Sequence, residues 1–204
     1  MKSVLNFIVK PLNDLRYNNK KKIGDKELIL NTDIFQHKFV NRHAKVIGIP
    51  SVGDTNIQVG DTVIVHHNVF RRFNDIRGEE KDSKAYFKDD MYFVFSDQIF
   101  LYKHKDNWVA NDTFCFVKPI ESKSNDIFKI EKEEPLIGIL KYPDKNLIKA
   151  GLKSGDLVGF KPNTEYEFVI DKEKMYRIFS KSITIKYGYK AEEKKYNQRS
   201  LQSC

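Results

Sequence analysis

The residues able to do acid, base or metal chemistry are scattered along this chain rather than grouped. His66 and His67 follow an apolar run, and neighbours on a strand point to opposite faces, so the pair is not expected to share a metal. His37, His43 and His104 have no Cys or carboxylate partners at ligand spacing. The carboxylate pairs Glu79-Glu80 and Asp89-Asp90 stand in charged connections, which suits solvated turn residues better than an acid and base pair. Ser96 and Ser180 lack a G-x-S-x-G context, and no glycine-rich phosphate loop occurs. Cys115 and Cys204 are far apart, which offers neither a disulfide framework nor a C-x-x-C pair. The expectation is a protein that is not an enzyme, holds no metal and needs no cofactor.

The elements that must position any binding residues read as strands. Aromatic content is 13%, with ten Tyr and fifteen Phe, which favours pleated, half-buried surfaces. The apolar runs are short and bounded by turn residues: Asn6–Leu12, Lys45–Ile49, Val59–His67, Met91–Phe95, Gln98–Lys103, Trp108–Ile120 and Phe128–Leu140 in the first two thirds, then four more from Gly155 to Tyr187. Leu147–Lys149 is expected to form a helical turn. Residues 13–27, polar and basic with no period of 2 or 3.6, are expected to be a long flexible loop, with Leu28-Ile29-Leu30 as an apolar island after it. The tail from 190 is expected to be disordered. No run approaches the ~20 apolar residues that span a bilayer, and the N-terminus lacks a signal-peptide core, so a cytoplasmic protein without a membrane partner is expected.

The second half restates the first. Val9-Lys10-Pro11-Leu12 recurs as Val117-Lys118-Pro119-Ile120, Ile47-Gly48-Ile49 as Ile137-Gly138-Ile139, and Gly60-Asp61 as Gly155-Asp156. Met91-Tyr92 then recurs as Met175-Tyr176, and Phe95-Ser96 with Ile99 as Phe179-Ser180 with Ile183. Five landmarks in one order predict an all-β chain of two domains, 1–105 and 106–189, followed by the tail 190–204. The first copy is longer in two places, before Ile47 and between Gly60 and Met91. Insertions into one copy of a repeat map to surface loops, where binding residues are commonly found.

These elements together, FIVKPL, KELIL, KVIGI, IQVGDTVIV and MYFVFSDQIFLYK, resemble the chaperonin-10 (GroES-like) co-chaperonin family. The second copy matches at CFVKPI, PLIGIL, LKSGDLVGF and MYRIFSKSITIKY. The resemblance implies two tandem small, irregular β-barrels that form a homo-oligomer and cap a GroEL-type chaperonin ring. It also implies a mobile loop, about 13–30, whose apolar triplet Leu28, Ile29 and Leu30 docks in a hydrophobic groove of the ring. The usual member has one domain and paired glycines before the triplet. Here there is one, Gly24, and the second copy has no room for the loop at ESKSND. The bias to Lys, Asn and Ile points to an AT-rich genome and suits a bacteriophage, in which case the location is the host cytoplasm or the virion.

Two other classes stay open at this point. Formal net charge is +8, from 36 basic against 28 acidic residues, which raises the question of nucleic acid as a minor partner. The local basic candidates are Lys20, Lys21 and Lys22, and Arg71 and Arg72, which lie among aromatics as single-strand binders require. The third class is a viral structural protein that reuses the duplicated barrel for assembly.

Overall fold

A computed structural model describes residues 3–30, 32–34, 36–111, 113–122 and 132–188. The expected tail, and most of the ESKSND loop, lie outside the described residues. The chain divides into two compact units, Met1–Trp108 and Val109–Cys204. Strands are the main regular element of both, with one short helix in the second, so the protein is all-β. Among the described residues no helix is long and apolar enough to cross a membrane.

The first unit contains β1 (Phe7–Pro11), β2 (Lys20–Ile23), β3 (Lys26–Ile29), β4 (His43–Gly48), β5 (Thr62–Val65), β6 (Phe73–Asn74), β7 (Glu80–Lys81), β8 (Tyr86–Lys88), β9 (Met91–Val94) and β10 (Ile99–His104); β11 (Asn107–Ala110) follows. The second contains β12 (Phe114–Ser122), β13 (Lys132–Tyr142), the short helix α1 (Lys145–Lys149), β14 (Leu157–Phe160), β15 (Tyr166–Ile170), β16 (Glu173–Phe179) and β17 (Ile183–Lys186). The two main sheets run β8-β9-β1-β4-β5-β10-β11 and β15-β16-β12-β13-β14-β17. Apart from β11, the two orders are the same. Each ladder of described strands is open, with β8 and β11 ending one and β15 and β17 the other, where closed barrels had been expected.

The repetition extends to single residues. Val9 faces Val46 and Tyr92, and Val117 faces Leu140 and Tyr176. Ile99 faces Val65 and Leu101 faces Ile64, just as Ile183 faces Phe160 and Ile185 faces Gly159, with a register shift at the same place. The cores follow from this register. Val9, Val46, Ile57, Val63, Val65 and Val94 are buried in the first unit. Their counterparts Val117, Leu140, Leu152, Val158, Phe160 and Ile178 are buried in the second. Side-chain size changes between the copies while apolar character holds, which a core tolerates when several positions change together and total volume and patterning are kept.

Gly60-Asp61 and Gly155-Asp156 form the same turn. Gly60 has φ +96° and Gly155 φ +93°, a backbone region costly for any side chain. The amides of Gln58 and Lys153 each donate to the following aspartate's Oδ2 at 2.8 Å. Gly60 N donates to Val46 O and Gly155 N to Leu140 O, each at 2.8 Å. Each aspartate also meets a side chain from the strand next to its own, but from different positions: His104 Nδ1, on β10, lies 2.9 Å from Asp61, and Lys186 Nζ, on β17, 2.8 Å from Asp156. The hydrogen bond from Lys186 is the main reason the Asp156 carboxyl is held below the usual carboxylate range. A carboxyl with a depressed folded pKa stabilises above its unfolded value, about 3.9, and loses that contribution as pH falls further. Acid unfolding of the second unit, followed by amide exchange below about pH 4, should therefore be less steep in Asp156→Asn than in wild type.

The register also corrects one expected correspondence. Ala44 faces Pro11 and Gly138 faces Pro119, so Ala44-Lys45-Val46, not Ile47-Gly48-Ile49, matches Gly138-Ile139-Leu140. Outside this match, β12 and β13 carry an irregularity, where pairing jumps from Pro119↔Gly138 to Glu121↔Glu133 and Leu136 takes φ +59°. On this register, Pro11 to Ala44 is 33 positions against 19 from Pro119 to Gly138, so the first insertion is 14 residues long.

The insertions themselves are ordered. Residues 13–27 are not a shapeless loop: β2 and β3 pair as an antiparallel hairpin around Gly24-Asp25. The expected extension within 70–90 is the two-stranded hairpin β6–β7. Trp108–Ile120 holds two strands rather than one, and the strand expected to reach His67 ends at Val65. The helical turn expected at Leu147–Lys149 is α1, capped by buried Asp144, whose Oδ1 accepts from Leu147 N at 2.8 Å.

Candidate functional site

Two regions of the first unit have no counterpart in the second unit's described residues: the hairpin β2–β3 and the connection carrying β6–β7. In the hairpin, Lys20 pairs with Ile29, Lys21 with Leu28, Lys22 with Glu27 and Ile23 with Lys26. Alternation along β3 sends Leu28 and Leu30 to one face and Ile29 to the other. Neither face is covered: Ile23 is 58% exposed, Leu28 51%, Ile29 55% and Leu30 48%. Four large apolar side chains thus stand in solvent on a strand pair that contributes nothing to the core.

The root of the hairpin is held far more firmly. Leu30 N donates to Asn19 O and Asn18 N to Phe39 O, both at 2.7 Å, and Tyr17 bridges to Val40. Buried Asn41 donates through Nδ2 to Leu12 O at 3.1 Å and to Leu15 O at 2.7 Å. Tyr17 OH donates to Ile34 O at 3.2 Å and accepts from Arg72 N at 2.8 Å. The last of these bonds reaches the second insertion.

Arg16 completes the link. Its side chain is only 11% exposed, and Nη1 lies 2.5 Å from Asp82 Oδ1. Nε and Nη2 donate to Phe70 O at 3.4 and 3.3 Å. The guanidinium also sits over the rings of Tyr86 and Tyr92, 5.9 and 5.5 Å from their centroids. Tyr92 OH is buried without a hydrogen-bond partner, and burial pushes its pKa up. Between the two insertions lies a polar cleft of about 390 Å³ lined by Asp14, Arg16, Tyr17, Lys20, Asp33 and Arg72, among others.

Among the sequence-based candidates, Leu28, Ile29 and Leu30 come together on one exposed strand, with Lys20, Lys21 and Lys22 on its partner strand. Arg71 and Arg72 lie in the other insertion and do not extend that basic run. Arg72 is engaged locally: Nη1 is 2.6 Å from Glu80 Oε1 and Nε 3.9 Å from Asp82 Oδ1. Burial acts to lower the Arg72 pKa, but the hydrogen bond and charge of Glu80, with Asp82, outweigh it and raise it. Sequence reasoning missed Arg16 and Tyr17, which give no signal before the fold brings residues 16 and 82 together.

The histidines also differ from expectation. Because β5 ends at Val65, His66 and His67 do not alternate across a strand. Their rings stack with centroids 4.3 Å apart, and the His37 ring lies 5.4 Å from that of His67. His66 Nδ1 accepts from Asn68 N at 3.1 Å, which caps the 3-10 turn His67–Val69. No group of three or more His, Cys, Asp or Glu side chains among the described residues is arranged to hold a metal. Asp89-Asp90 closes the β8–β9 hairpin with both residues at positive φ, as Asp171-Lys172 does between β15 and β16. Burial pushes the Cys115 thiol up to about 12, which leaves it protonated and unreactive near neutrality. No protein-family model matches this chain, and no curated protein sequence does.

Proposed function

We propose that this protein is a non-catalytic, co-chaperonin-like ring component: two tandem GroES-like barrels, the first of which docks on a GroEL-type chaperonin through Leu28, Ile29 and Leu30. The observation that carries the reading is the exposure of that triplet on a hairpin that has no counterpart among the second unit's described residues. Burying each side chain in a partner groove would contribute roughly 1.5–3 kcal/mol before ordering costs. A single hairpin of this size binds weakly, so a homo-oligomer presenting several of them would gain most of its affinity through avidity. The firm root and uncovered tip suit a projecting arm whose position is set by the first unit. A basic β2 beside the triplet favours a groove with an acidic rim. On this reading the protein works in the cytoplasm that holds the chaperonin.

The second reading is a viral structural protein, favoured by the open ladders, whose terminal strands β8, β15 and β17 offer backbone edges for pairing with another chain. A pull-down with chaperonin and nucleotide separates the two. Wild type should be retained and a variant with Leu28, Ile29 and Leu30 all changed to Ser should be lost, by tenfold or more. Equal retention of both would remove the hairpin from the interface, and a stable self-assembly with no retention of wild type would favour the structural reading.

A further inference from the structure

The second insertion also ends in an apolar tip. Its hairpin pairs Phe73 with Lys81 and Asn74 with Glu80, then turns through Asp75-Ile76-Arg77-Gly78. Hydrogen bonds fix that turn: Gly78 N donates to Asp75 O and Asp75 N to Glu79 O, both at 2.9 Å, while Asp75 Oδ1 accepts from Arg77 N at 2.8 Å and from Glu79 N at 3.0 Å. Gly78 supplies the positive φ, +81°, that lets the chain close. The Ile76 side chain is left wholly in water, at 103% exposure, and Phe73 of β6 is 38% exposed. A single exposed apolar residue is ordinary on a protein surface, so exposure alone assigns Ile76 no role.

Two further features set this tip apart. The charges around the turn are matched among themselves: Lys81 Nζ lies 2.6 Å from Glu79 Oε2 and 3.8 Å from Asp75 Oδ2, and Arg72 Nη1 lies 2.6 Å from Glu80 Oε1. Arg77, exposed at the apex beside Ile76, meets no acid among the described residues. The hairpin also springs from the joint that holds β2–β3. Arg72 N, just before β6, donates to Tyr17 OH at 2.8 Å, and Asp82, just after β7, lies 2.5 Å from Arg16 Nη1. At no more than about 3.6 Å per residue along the chain, Ile76 and the Leu28–Leu30 triplet lie within about 40 Å of each other, inside the reach of one partner.

We propose that Ile76 and Arg77 form a second docking point for the partner that takes Leu28, Ile29 and Leu30, with Ile76 entering an apolar pocket and Arg77 meeting a carboxylate at its rim. The inference rests on the reading of β2–β3 as a chaperonin-docking arm. A turn fixed before contact keeps the ordering cost of binding low. An apolar anchor beside a cation left unmatched by the fold complements a pocket with an acidic rim. Two points on one joint act as a linked pair, so each raises the effective concentration of the other.

The test measures affinity and association rate on a GroEL-type ring with nucleotide. Ile76→Ser should weaken binding about tenfold. Its melting temperature and amide spectrum should stay those of wild type, since the side chain touches nothing in the fold. Ile76→Leu should bind within about twofold of wild type. Arg77→Glu should slow association about fivefold and flatten its dependence on salt. If changing Leu28, Ile29 and Leu30 to Ser abolishes binding while Ile76→Ser binds as wild type does, the arm stands and the second docking point falls. Loss of binding in Ile76→Ser with none in the triplet variant would keep the contact at Ile76 and remove the arm. Wild type that fails to bind the ring overturns both, and unchanged association in Arg77→Glu overturns the acidic rim.

Discussion

Gly138→Ala should open the second unit's central ladder. A Cβ at this position would lie 2.3 Å from Val117 Cγ1 and 2.8 Å from the Lys118 carbonyl oxygen. Val117 is fully buried and cannot move aside without disturbing the core, and the carbonyl belongs to the neighbouring strand's backbone. Overpacking of this kind costs roughly 2–4 kcal/mol. Hydrogen exchange should show protection in 114–122 and 132–142 falling about a hundredfold, while 43–48 in the first unit keeps its own. The copies supply an internal control, because the matching position in β4 is Ala44, fully buried and accommodated. Ala44→Gly should be milder, about 1 kcal/mol, through backbone entropy and a small void. Unchanged protection in Gly138→Ala would mean that β12 and β13 separate more readily than their register implies.

Arg16→Ala has the next largest effect. It removes the ion pair to Asp82, two bonds to the Phe70 carbonyl and the cation over Tyr86 and Tyr92 in one step. Asp82 is 40% exposed, so water recovers part of the loss, and roughly 2–3 kcal/mol is expected instead of the full cost of breaking a buried pair. The loss should be local, with faster exchange at residues 16–20, 30 and 70–86 and little change in β4, β5 or β10. Arg16→Lys should not restore it, because a single ammonium cannot meet the carboxylate and the carbonyl while lying flat on the rings. Full rescue by lysine would show that charge alone holds the two insertions together.

What could be read from the sequence was what short-range chemistry decides. Gly60-Asp61 and Gly155-Asp156 were legible because a positive φ and a side-chain cap leave residue signatures. The Ile-Gly-Ile match failed because the motif is short, and its two occurrences fall four positions out of register on β4 and β13. The hairpin β2–β3 was hidden because neither face is buried, so no apolar alternation marks it. The stacked histidines were misjudged by the position of one strand end. Arg16 was invisible for a different reason: its partners lie 54 and 66 positions away, and only the fold makes them neighbours.

The mutual grip of the two insertions also bears on how such an arm could be moved or acquired. Residues 13–39 transplanted alone into the second unit would arrive with Arg16 and Tyr17 facing no Asp82, Phe70 carbonyl or Arg72 amide. The graft would keep its turn and its apolar tip but lose the base that aims it. The hairpin and the β6–β7 connection are therefore one structural module in two pieces of sequence, and neither piece carries the base of the arm alone.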